Sequence, residues 1–141
     1  MSLANIYPYF RTRMKSVGYT EWQDGFNTEN IPSTVINKSF HILTPGIIGG
    51  SINQNHQNTE TAVQIQFVLK GYRYPTEAKE KAMFETEKII KDICKISNRT
   101  ATLLNVVFNS STMQALNSSD DNQVLVVLDF SAFVVLGPEE T

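Results

Sequence analysis

Ile6, Phe10, Met14 and Val17 recur every three or four residues near the start of the chain, the spacing that gathers side chains on one face of an α-helix. Arg11, Arg13 and Lys15 fall mostly off that face. Asn5 is a candidate N-cap, Pro8 lies in the first turn where a missing N–H costs nothing, and Gly18 is a natural C-terminal cap, so a helix ending at Val17 is expected. The stretch that follows mixes Trp22 and Phe26 with turn formers and ends in Ile31-Pro32. It reads as an ordered loop, extended just before the proline.

Residues 33–43 carry Val35, Ile36, Phe40 and Ile42 around a polar break at Asn37-Lys38, which predicts a first strand with a bulge. Residues 44–58 hold three glycines, a proline and a run of amides, and a long mobile loop is expected there. Strict alternation returns with Val63, Ile65, Phe67 and Leu69 on one face and Gln64, Gln66, Val68 and Lys70 on the other, giving a strand over 59–72. Pro75 then opens a second helix with Ala78, Ala82, Phe84, Ile89, Ile90 and Ile93 along a broad apolar stripe. Its other side pairs Glu77 with Lys81 and Glu87 with Lys91 in the favourable i,i+4 order. Two last strands, 103–116 and 123–136, flank a polar turn. Eleven of the thirteen residues in 124–136 are apolar, so that strand is expected at the centre of the sheet, covered on both faces. The order α-β-β-α-β-β implies a single α+β domain over residues 1–141. It would be a mostly antiparallel four-stranded sheet with helices packed on one face.

Composition narrows the class. A length of 141 residues suits one core, and Cys94 as the only cysteine rules out an intrachain disulfide. No apolar signal segment stands near the N-terminus and no apolar run is long enough to span a membrane, so a cytoplasmic, membrane-free protein is expected. All 12 Lys and Arg precede residue 100, whereas residues 100–141 carry five acids. That anionic segment would repel a phosphate backbone, which argues against specific nucleic-acid binding.

Residues suited to catalysis are few. His56 and Glu60 have metal-pair spacing only on a helix, and the pattern there is not helical. His41 lies in a strand pattern, where a hydrogen-bonded structural role is expected. Cys94 sits beside the apolar stripe and reads as a small buried hydrophobe. The GIIGGS run at 46–51 lacks the Gly-Lys-Ser/Thr ending of a phosphate loop, and Asp120-Asp121 reads as a solvated turn. Asp129, in its apolar strand, must find a partner, face solvent or face another subunit. No catalytic residue, metal or cofactor is assigned.

The run from Asn5 to Tyr19 (NIYPYFRTRMKSVGY), the later ENIP at 29–32, the amide-rich loop and FVLKGYR at 67–73 resemble the tail-terminator and minor tail proteins of long-tailed bacteriophages. The resemblance extends to element order over nearly the whole chain. It implies a virion protein, assembled in the host cytoplasm, forming a typically hexameric ring at the head-proximal end of the tail tube. There it would stop polymerisation and present a surface to the head, its partners being its own copies, the tube protein and a head-connector protein. No functional residue carries over from that family.

The sequence itself nominates two contact clusters. Ile47, Ile48 and Ile52 are apolar residues in a segment that cannot easily bury them; either they meet a partner or they fold back on their own domain. Tyr72, Arg73 and Tyr74 are of the types enriched at interface hot spots. The competing readings are a small cytosolic enzyme and a ligand-binding regulatory domain. The first would need His41 or Asp129 in a polar pocket, the second a closed pocket.

Overall fold

In the computed structural model, the structure describes residues 3–26, 31, 34–53, 56–95, 97, 105–117 and 122–136. A 3-10 turn, Leu3–Asn5, runs into helix α1, Ile6–Ser16. A short strand β1, Thr20–Glu21, is followed by β2, Ser39–Asn53, and β3, His56–Tyr72. Helix α2, Pro75–Ile93, leads to β4, Asn105–Asn117, and β5, Asn122–Leu136. The fold is α+β, with one mixed five-stranded sheet in the order β1-β2-β3-β5-β4. Only β1 against β2 is parallel. The other pairs are antiparallel. The expected four strands are present, and β1 is the added one.

Helix ends follow local chemistry, with one departure. Asn5 makes no side-chain cap bond because it is already in helical conformation, continuing from the 3-10 turn. At the other end Gly18, at φ +97°, donates to the Lys15 carbonyl at 3.1 Å, and Tyr19 donates to the Met14 carbonyl at 3.1 Å. This is a Schellman motif, and the left-handed glycine makes it possible. α2 begins as expected, with Tyr74 extended and Pro75 in the first turn.

Both helices lie on one face of the sheet. Phe10 and Met14 from α1, and Ala82, Ile89 and Ile93 from α2, bury against Phe40, Ile65, Phe67, Leu128 and Phe130. A second, smaller core lies on the opposite face, where Ile31 and Val35 pack on Val68 and Leu125 with Trp22, Phe26 and Val127 around them. Strand β5 therefore lies between β3 and β4 and is largely buried, as its near-continuous apolar run requires.

The main correction concerns residues 44–58. Instead of a mobile loop, residues 44–53 continue β2, and β3 starts at His56, with Gly46 opposite Ala62, Ile47 opposite Thr61 and Gly49 opposite Thr59. Backbone ladder bonds do not depend on a buried apolar face, so the strand continues although residues 45–49 are exposed. The register shift between Leu43 and Gly46 takes Pro45 out of the ladder, as its missing N–H demands. Asn37-Lys38, read as a bulge inside a strand, is a turn preceding β2, with Lys38 at φ +61°.

Candidate interaction surface

The two nominated clusters lie far apart. Ile47 and Ile48 sit on the distal part of β2, 56% and 64% exposed, and strand alternation puts one on each face of the sheet. The side chain of Ile52 lies outside the described residues, although its backbone pairs with Gln57. Residues 72–74 are at the opposite end of β3. The partner of Ile47, Thr61, is eleven positions before Tyr72 on β3, a separation of roughly 35 Å at about 3.3 Å per strand residue. These are two surfaces rather than one.

At the second surface, β3 passes through Gly71 at φ +84°, ends at Tyr72 and hands over to α2. The Asn122 amide donates to the Tyr72 and Arg73 carbonyls at 3.2 and 2.9 Å, fixing the corner. Tyr72 packs against the main core. Arg73 and Tyr74 are exposed, the guanidinium 5.3 Å from the ring centre, a cation–π pairing of a kind common at interfaces. An open groove of about 400 Å³ beside it is lined by Tyr72, Glu77, Glu80, Lys81 and Phe84. Phe84 corrects the expected stripe, because it is exposed, with the Lys81 ammonium 5.0 Å from its ring centre. The buried side of α2 is Ala78, Ala82, Glu85, Thr86, Ile89 and Ile93. Phe84 lies about 200° around the helix from Ala82 and from Thr86, since each residue advances about 100°. That spacing was the available signal.

The sequence reading missed the buried polar cluster behind this corner. Glu85 is buried among apolar residues, its Oε1 3.0 Å from the Lys38 ammonium. Tyr19 donates its hydroxyl to the same carboxylate at 3.3 Å. Burial, then the Glu85 charge, pushes the Tyr19 hydroxyl well above the usual tyrosine range. Tyr72 is raised as well, by burial first and then by Glu85 and Glu77. The Tyr19 hydroxyl thus stays a protonated donor to Glu85, and the cluster of Tyr19, Lys38 and Glu85 ties α2 to the turns before β1 and β2.

The other titratable candidates have local partners. His41 Nδ1 is 2.8 Å from the Trp22 carbonyl; because a carbonyl only accepts, that nitrogen carries the proton. His56 opens an extended strand, which gives His56 and Glu60 no helical spacing. Asp129 accepts from the Gln64 amide at 3.1 Å and the Ser110 hydroxyl at 3.2 Å, on the sheet face away from the helices. Cys94 is half-buried at the end of α2. Asp120-Asp121 lies outside the described residues. Among the described residues no three His, Cys, Asp or Glu side chains gather where a metal could sit, and no helix is long and apolar enough to cross a membrane.

No protein-family model matches the chain, and no curated protein matches it.

Proposed function

We propose that this chain is a structural protein of the phage tail-terminator kind, which assembles into a ring of its own copies, typically six, at the head-proximal end of a tail tube. The observation that carries the reading is the pair Ile47 and Ile48, more than half exposed where β2 pairs with β3. An apolar pair held out on regular backbone needs no ordering before it binds, so it loses little entropy on contact. The Arg73-Tyr74 corner at the opposite end of β3 offers a second, chemically different surface. Two unlike patches on one subunit are what a ring stacked between other proteins uses, with one surface for its own copies and others for the tube and head-connector proteins. Ring formation needs no cofactor and no catalytic group. Negative-stain microscopy combined with light scattering on the purified protein tests this. Closed rings of defined mass are expected, and a protein that stays monomeric at high concentration argues against it.

A further inference from the structure

Both long outer strands of the sheet lack the charged side chains that usually help keep an edge from pairing, although β2 carries Pro45 and both strands carry bulges. A sheet edge exposes a row of N–H and C=O groups, and proteins that remain monomeric guard it with charged side chains, proline or bulges. Residues 105–117 of β4 contain no Asp, Glu, Lys or Arg, and neither do residues 39–53 of β2. Apart from Glu21 on the two-residue β1, the charges of the sheet sit on its inner strands, at Glu60 and Lys70 of β3 and Asp129 of β5. Among the described residues β4 pairs with β5 alone, and β2 meets β1 only at Ser39 and Phe40. The bulges remove only part of each edge from regular register, leaving residues 110–117 of β4 and 46–49 of β2. Exposed apolar side chains flank both edges: Leu43, Ile47 and Ile48 on β2, Val107 and Met113 on β4.

We infer that β2 of one copy pairs edge to edge with β4 of the next, continuing the sheet from subunit to subunit; this rests on the ring reading above and assigns its contact. The topology makes the geometry self-consistent. β2, β3, β5 and β4 alternate in direction across the sheet, so β4 runs opposite to β2. Rotating a copy about an axis along the strands preserves strand direction, and the β4 it brings to β2 is therefore antiparallel, the more stable pairing. The four residues 46–49 of β2 in regular register would supply about four hydrogen bonds, just below the roughly five to fifteen usual per interface, and the flanking apolar side chains add to the contact. No charge has to be desolvated in the process. The corner at residues 72–74 then lies on the rim of the ring, free for a protein stacked along the axis.

The test uses Val107→Lys/Thr112→Lys, two exposed β4 positions, together with cross-linking of two cysteine variants in a Cys94→Ala background. One carries Ile48→Cys and the other Thr112→Cys. A flexible bismaleimide should join subunits in a mixture of the two, while each variant alone stays uncross-linked. The double lysine variant should sediment as a folded monomer under conditions where the wild type assembles. Assembly of the lysine variant equal to wild type, or cross-links between two Thr112→Cys copies, would overturn edge pairing and leave the ring reading intact. A wild type that stays monomeric overturns both.

Discussion

The Lys38 ammonium stands 3.0 Å from the Glu85 carboxylate, a side chain only 1% exposed, and the residue that supplies this cation holds a left-handed backbone at φ +61°. The position therefore combines a favourable charge with an unfavourable conformation. Removing the cation leaves a buried carboxylate with Tyr19 as its remaining polar partner. Because the Lys38 side chain is 31% exposed, Lys38→Ala should cost about 2–3 kcal/mol, below the 3–5 kcal/mol of a fully buried pair. Lys38→Gly loses the same cation and relieves the backbone, so it should be more stable than the alanine variant by about 1 kcal/mol. Equal denaturation midpoints for the two variants would show that the turn carries no strain.

Alkaline stability should depend on Tyr19. Its hydroxyl pKa is raised in the folded protein, first by burial and then by Glu85, so the native state holds this proton more tightly than the unfolded chain does. Its contribution is complete below the ordinary tyrosine pKa of about 10 and is lost as pH rises through the higher folded value. Above pH about 10, stability should fall by up to about 1.4 kcal/mol per pH unit for each such tyrosine. Tyr72 is shifted in the same direction, so Tyr19→Phe should make the decline shallower without abolishing it. Denaturant titrations between about pH 9 and 11 measure this, and identical slopes for the variant and the wild type would refute it.

Buried and exposed phenylalanines should separate cleanly. Phe130 is fully buried, its ring 5.7 Å from Phe10 and 5.6 Å from Phe108, so Phe130→Ala should cost about 3–5 kcal/mol. Phe84→Ser, on the exposed side of α2, should stay within about 0.5 kcal/mol of wild type. A large loss in the serine variant by thermal or chemical unfolding would place Phe84 in the core after all.

What could be read from the sequence followed periodicity. The stripe of Ile6, Phe10 and Met14, the alternation from Val63 to Leu69 and the dense apolar run of β5 each had a side-chain period, and each became the element it implied. The distal half of β2 had none, because its pairing depends on backbone bonds from Gly46 and Gly49 to β3, which leave no mark on side-chain pattern. β1 is two residues held by Thr20 donating to the Lys38 carbonyl and Trp22 to the Phe40 carbonyl, a contact made only once the chain has folded. The Glu85–Lys38 pair was hidden for the same reason, since it joins positions 47 residues apart and a glutamate on a helix ordinarily faces water. For Ile47 and Ile48 the sequence left contact with a partner and folding back both open, and their exposure, like the distance that separates them from residues 72–74, needed the sheet.

That pair makes the sharpest test of assembly. In the monomer both side chains are mostly in water, so Ile47→Asp/Ile48→Asp should leave the fold intact, with an unchanged circular dichroism spectrum and a denaturation midpoint close to wild type. In an interface the same two changes place unpaired charges against apolar surface, at a cost of roughly a few kcal/mol per contact. A closed ring repeats one contact around its circumference, so a weakening at one patch is felt at every junction. Even about 3 kcal/mol per contact lowers each pairwise association constant by more than a hundredfold. Sedimentation velocity at near-physiological salt should therefore show the double variant as a monomer under conditions where the wild type sediments as a ring. Unchanged oligomers in the variant would show that the distal strand of β2 faces solvent in the assembly and that the subunits meet elsewhere.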